Sequence, residues 1–177
     1  MITTFIGGLS LSDNDLNAIK KASGVEKVIP MIWTAEVSRH REESKITFLT
    51  GTPFTDGLEL FQNDMGWSLT EGRWPIPGRR EVIVGSLVPK EVFSEMEIGD
   101  KINIKGKPFE VVGFLRSLGS KQDDSMIHLD LSDFKIVTGK REGAQTAFVK
   151  VAPGYIVDNV ALNIEQELSE TRKRVSG

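Results

Sequence analysis

Residues 98–114 read Ile98-Gly99-Asp100-Lys101-Ile102-Asn103-Ile104-Lys105-Gly106-Lys107-Pro108-Phe109-Glu110-Val111-Val112-Gly113-Phe114. The spacing predicts a β-hairpin. Asp100–Ile104 forms one strand, Lys105-Gly106 supplies a turn that needs φ > 0, and Pro108 sits early enough in the returning strand to be tolerated. A hairpin here makes the middle of the chain β-rich, whereas both ends carry helices, so the fold turns on how the ends relate to the middle.

Working outward, Glu81-Val82-Ile83-Val84-Gly85 is a short buried strand, followed by a short helix from about Val88 to Met96. After the hairpin, Ser117–Ser125 is a polar loop and Met126–Leu131 a strand. Ser132 then caps a short helix through Val137 that stops at Gly139. From Pro53 to Pro77 the periodicity is lost, and the stretch reads as an irregular connection. Ile46–Leu49 is a strand, Arg39–Ser44 a polar turn, and Val25–Val37 extended, with Pro30 placed most easily at an edge or bulge.

The ends are more strongly signalled. Residues 2–6 (Ile-Thr-Thr-Phe-Ile) read as a strand stopping at Gly7-Gly8. Ser12 is a helix N-cap answered by Asp15, Leu11 and Leu16 form a hydrophobic staple, and Gly24 ends that helix. Ala147–Val151 is a strand. A last helix from about Ile156 carries Val157, Val160, Ala161, Ile164 and Leu168 on one apolar face. The two ends are half-amphipathic pieces that need each other for burial. The expected class is α+β: a discontinuous α/β unit (βαββ…βα) of residues 1–62 and 143–177, holding an inserted β-rich unit of residues 63–142.

Composition limits the function. In 177 residues, 22 Lys+Arg face 25 Asp+Glu, a net charge of −3, with no cysteine. Such length buries roughly 70% of the unfolded chain's surface without metal or disulfide. Interspersed charges make no stripe for a phosphate backbone, so nucleic acid is not an expected partner. No apolar run approaches the roughly 18 residues of a membrane span. Met1-Ile2-Thr3-Thr4 is not the start of a signal peptide, so an exported parent protein would carry its export segment outside these residues.

Catalytic motifs are missing. Gly106-Lys107 is followed by Pro108 and preceded at the required glycine by Lys101, so no phosphate-binding loop of the Walker type is present. G-x-G-x-x-G, G-x-S-x-G and H-E-x-x-H patterns and a calcium loop are also absent. His40 and His128, without cysteine, do not make a structural zinc site. No cofactor and no metal are expected. The candidate partner-binding residues are Trp67, Arg73 and Trp74, as an aromatic and cationic contact surface, and Lys121, Asp123 and Asp124, as a charged loop. Arg79-Arg80 and Arg172-Lys173-Arg174 read as exposed charge, the latter suiting a helix C-terminus or a membrane surface.

The order of elements then resembles a known family. Gly24-Val25-Glu26-Lys27-Val28-Ile29-Pro30, Phe48-Leu49-Thr50-Gly51-Thr52, Glu71-Gly72-Arg73 before Glu81-Val82-Ile83-Val84-Gly85, and the Gly99-Asp100-Lys101-Ile102 … Phe109-Glu110-Val111-Val112-Gly113 hairpin are similar to the extracytoplasmic domain of MacB-like (FtsX-like) ABC transporter permeases. The likeness runs from about Leu11 to Leu168. His128-Leu129-Asp130-Leu131 departs from it, standing where such permeases commonly carry a proline-containing segment. The resemblance implies a non-enzymatic domain held outside the cell membrane between two membrane helices, with a membrane-proximal (Porter-like) and an inserted (Sabre-like) subdomain. It also implies a cytoplasmic ABC ATPase, a homodimer or heterodimer of permease subunits, and an external substrate or protein partner. About 20 apolar residues before Met1 and after Gly177 would accompany that arrangement. Two rival readings are a soluble secreted binding domain and a carboxylate hydrolase using Asp123, Asp124 and Glu110, the latter needing two carboxyls with separated pKa values.

Overall fold

The computed structural model describes residues 3–6 and 10–176, and the expectations for Ile2 and Gly7-Gly8 lie outside them. The chain divides into two compact units, residues 1–32 with 142–177, and residues 33–141. The mixed α/β class matches the expectation. The upstream division falls at Ile32/Trp33, not at the expected 62/63. The reason is strand pairing: Leu49–Thr52 aligns in parallel with Ile127–Asp130, which ties residues 43–52 to the middle of the chain.

In the first unit, strands β1 (Thr3–Ile6), β9 (Thr146–Val151) and the start of β2 (Val25–His40) lie in the order β1-β9-β2, all antiparallel. Pro30, expected at an edge or bulge, aligns with Ala147, while the register shift falls between Val25 and Lys27. Helices α1 (Asp13–Lys21) and α5 (Val157–Val175) complete this unit. The capping box of α1 is formed: the Asp15 N–H donates to Ser12 Oγ (3.1 Å) and the Ser12 N–H to Asp15 Oδ2 (3.0 Å). Helix α1 ends at Ala22, two residues before the expected Gly24. The α5 stripe is buried at Val160, Ile164 and Leu168, which share one core with Leu11, Ile19, Ala147 and Val149. Leu11 and Leu16 both reach that core, as a staple requires. Burial of such a stripe, at roughly 1.5–3 kcal/mol per large aliphatic side chain, is what holds a helix that is polar on its other face.

In the second unit β3 (Glu43–Thr52), β4 (Leu69–Gly72), β5 (Glu81–Val84), β6 (Lys101–Ile104), β7 (Lys107–Leu115) and β8 (Ile127–Asp130) join the end of β2. The pairings β2-β3-β8-β5-β7 are completed by β6, which pairs with β7 and also with Ser38–His40 of β2. The result is a closed circuit of six strands with β4 attached to β7. Closure satisfies backbone groups that an open sheet would leave at its edges. The register identifies one continuous inner face: Ser38 opposite Ile104, His40 opposite Ile102, Ile102 opposite Phe109, Leu49 opposite Ile127 and Val82 opposite both Leu129 and Val111. All of these are buried.

Four helical elements depart from the sequence reading. The stretch expected to be an irregular connection contains helix α2 (Phe54–Asn63), because its apolar residues Phe54, Leu60 and Phe61 fall on one buried side despite Gly57. The expected helix at Val88–Met96 contracts to one π-helical turn, Val88–Val92, closed by the Phe93 N–H donating to Val88 O at 2.8 Å. The polar loop at 117–125 contains a single turn, α3 (Lys121–Asp124), capped by Ser120. Helix α4 (Leu131–Thr138) is capped by Asp130 and not by Ser132, and ends at Gly139 with φ 72°.

Candidate functional site

The residues singled out as a contact surface are drawn largely into the second unit's own structure. Trp67 is only 5% exposed, stacks on Phe61 with ring centroids 4.8 Å apart, and lies 4.7 Å from the His128 ring. It serves the core and not a contact surface. Trp74, half-buried, leans on Phe54 at 6.4 Å. Arg73 meets Glu81 in a two-pronged ion pair, both N···O distances 2.7 Å, and Glu81 also accepts the Ile76 N–H at 2.8 Å. The arginine donors hold the Glu81 carboxyl below its ordinary pKa of 4.5. The Glu-Gly-Arg stretch and the Glu that opens the Val-Ile-Val-Gly strand are therefore two halves of one fastening. Sequence spacing could not reveal that pairing, because the intervening Trp74–Arg80 loop sets it.

Glu81 is the better probe of this fastening, being 5% exposed where Arg73 is 49%. Glu81→Ala leaves the Ile76 N–H without its acceptor and the guanidinium with only Trp74 O (3.2 Å), and we expect a loss of about 1–2 kcal/mol in unfolding free energy, read from the urea midpoint. Unchanged stability would show that water replaces the carboxylate without cost.

The charged loop is also internally committed. Asp124 is buried and accepts from Ser117 Oγ (2.5 Å) and the Leu118 N–H (2.6 Å). Burial pushes its pKa up, but the donors of Ser117, Leu118, Gly119 and Ser86 outweigh it and hold the carboxyl below 3.8. That direction is opposite to the one a general acid needs. Asp123 accepts from the Ser120 hydroxyl at 2.7 Å in the cap of α3, and Lys121, 83% exposed, lies 3.8 Å from Glu91. Glu110, the third acid considered for hydrolysis, pairs with Lys101 at 3.6 Å. Among the described residues no group of three or more His, Cys, Asp or Glu side chains is placed to hold a metal ion.

The two histidines, which the sequence shows only to be too few for a zinc site, are the centres of two buried polar clusters. His40, on the inner face, lies 2.7 Å from Asp100 through Nε2, and Asp100 also meets Arg41 at 3.5 Å. His128 lies on the outer face of β8, opposite Thr50, whose Oγ1 is 2.5 Å from its Nδ1, while its Nε2 has no partner. Burial lowers its pKa from 6.5 to about 3, so the ring is neutral. On the same outer face, Ile46 and Phe48 are exposed.

The motif glycines are used for close approach. Gly72 of β4 pairs with Gly113 of β7; a Cβ on Gly72, where φ is 81°, would lie 2.0 Å from Val112 O, and one on Gly113 would lie 2.6 Å from Arg73 O. The pattern's glycines and charged pair thus hold one strand crossing together. They form an architectural signature.

Comparison with known proteins agrees with this reading. The MacB-like periplasmic core domain family matches residues 2–167. An uncharacterized ABC transporter permease of Methanocaldococcus jannaschii is 27% identical over 160 residues, which are 89% of this chain but 40% of that protein. The chain thus spans two-fifths of that relative's length. Among solved structures, the extracellular domain of the noncanonic ABC-type transporter YknZ from Gram-positive bacteria superposes with a TM-score of 0.70 at 18% identity, covering 93% of this chain and 85% of that one. The periplasmic region of MacB from Actinobacillus actinomycetemcomitans gives 0.70 at 20% identity, covering 96% and 75%. These likenesses, at such identities, concern the fold, and with the family match over nearly the whole chain they lead to one statement: the chain belongs to the MacB-like periplasmic core domain family.

Proposed function

We propose that this chain is the extracytoplasmic domain of an ABC transporter permease, that it meets cargo or a partner protein outside the membrane, and that it relays motion driven by a cytoplasmic ATPase. The family match over residues 2–167 carries the reading. It is supported by the placement of β1 and α5, the first and last described elements, in one unit, as a body suspended between two membrane spans requires. No helix of the described residues is long and apolar enough to cross a membrane itself, so the spans would belong to other parts of the protein. The membrane-proximal role falls to residues 1–32 and 142–177, and contact with the outside to residues 33–141. Permease subunits would act as a pair with an ATPase beneath them.

The test uses the full-length transporter in sealed vesicles of known orientation. Ser44, exposed beside the β2–β3 turn, is replaced by cysteine and treated with a membrane-impermeant maleimide. We expect labelling from the extracytoplasmic side and a labelling rate that changes between the nucleotide-free and ATP-trapped states. Reaction only after permeabilisation would overturn the location, and identical rates in the two states at several exposed positions would overturn the relay.

A further inference from the structure

A concavity of about 500 Å³ in the second unit is lined by Lys107, Lys135, Ile136, Gly139 and Arg141. Lys107 opens β7, Lys135 and Ile136 stand near the end of α4, and Arg141 follows the Gly139 stop. Several other cations of this unit are matched by acids, Arg73 by Glu81, Lys101 by Glu110, Lys105 by Glu36, Arg39 by Glu42 and Arg41 by Glu95, whereas Arg79, Arg80, Lys90, Arg116 and Lys140 stand apart on the surface without an ion pair among the described residues. Lys107, Lys135 and Arg141 have no carboxylate within ion-pair distance among the described residues. What calls for a reason, in a chain of net charge −3, is that three of the five residues lining one concavity are cations and none is an acid.

Attraction to the C-terminus of α4 supplies only part of it. A helix end offers about half a negative charge, and here Lys135 O already accepts the Gly139 N–H (3.0 Å) while Phe134 O accepts the Thr138 hydroxyl (2.7 Å). Three full positive charges exceed that partial charge several-fold. Two ammonium groups and one guanidinium fork in a concave wall suit an oxyanion carrying about two negative charges, which is the charge of a phosphate monoester or a pyrophosphate and more than that of a single carboxylate. Ile136, 65% exposed within this wall, adds an apolar surface for the group that bears the phosphate.

We infer that this groove is a binding site for the phosphate group of an anionic ligand, held by Lys107, Lys135 and Arg141. The inference stands on the groove alone and does not depend on the transporter reading. Two probes separate the sources of such a group: pyrophosphate in solution, followed by amide shifts of residues 135–141 and by calorimetry, and co-sedimentation with vesicles of one-third phosphatidic acid in phosphatidylcholine. Lys107→Gln/Lys135→Gln/Arg141→Gln is compared with Lys20→Gln/Lys90→Gln/Lys173→Gln, which removes the same charge from exposed sites elsewhere. Circular dichroism confirms that both remain folded. We expect the groove variant to lose at least about tenfold in affinity, the control to stay near wild type, and added salt to weaken binding. Binding of pyrophosphate assigns a soluble phosphate compound, and binding of vesicles alone assigns a lipid headgroup; either supports the site when the groove variant loses it. Equal affinity in the two variants, or no binding of either probe below about 10 mM, overturns it.

Discussion

Lowering the pH from 7 to about 4.5 reduces the unfolding free energy of this chain by about 2–3 kcal/mol, and His128→Asn flattens that dependence. The ring is enclosed by Thr50 and Trp67, and burial lowers its pKa from 6.5 to about 3. The unfolded chain therefore takes up a proton below about pH 6.5 that the native chain refuses, at up to about 1.4 kcal/mol for each pH unit until about pH 3. Stability is full above 6.5 and declines below it. Carboxylates with lowered pKa values, Glu81, Asp124, Asp15 and Asp100, contribute stability that is lost as pH falls below their ordinary values, 4.5 for the glutamate and 3.8 for the aspartates, and through their lowered native ones. Asp133, raised by burial, works in the opposite direction, because its native form gains protons first on acidification. Urea unfolding at four pH values from 7 to about 4.5 measures the slope. The asparagine variant starts from a lower baseline, since it leaves a void against Trp67, so slope and not absolute stability decides. An equal slope in both proteins would show that His128 takes a proton in the native state.

Gly72→Ala destabilises the chain by at least about 3 kcal/mol, whereas Gly78→Ala costs about 1 kcal/mol. The two glycines share the same backbone angle, φ 81°. They differ in what a methyl group would meet: open space at Gly78, and Val112 O at 2.0 Å with Gly113 Cα at 2.8 Å at Gly72. The comparison isolates the steric cost of the β4–β7 crossing from the cost of a left-handed residue. Relief at Gly72 needs a shift of β4 away from β7, which would disturb the neighbouring Arg73–Glu81 pair. Denaturation midpoints measure the difference, and similar losses at the two positions would show that the crossing opens without cost.

Much of this architecture is legible along the chain because the responsible interactions are local. Ser12 and Asp15 are three residues apart, the turn Lys105-Gly106 joins strands that pair with each other, and the α5 stripe repeats with the period of a helix. The family signature was readable for a related reason: Gly72, Arg73, Gly85 and Gly113 stand in a fixed order, whatever their purpose. What each contributes was not readable. Along the chain Arg73 and Trp67 read as contact residues, but in the fold Arg73 faces Glu81 and Trp67 packs against Phe61 and His128.

The sequence by itself determined the class, the complementary helical ends, the central hairpin and the family, since propensity, capping, turn chemistry and motif order act over a few residues. Only the tertiary structure decided where the units divide, that β6 closes six strands into a circuit, and that Lys107, Lys135 and Arg141 share one groove. Those outcomes depend on contacts between distant residues, such as Leu49 with Ile127 and Ser38 with Ile104. Their energies come from burial and register, quantities that do not exist until the chain has folded back on itself.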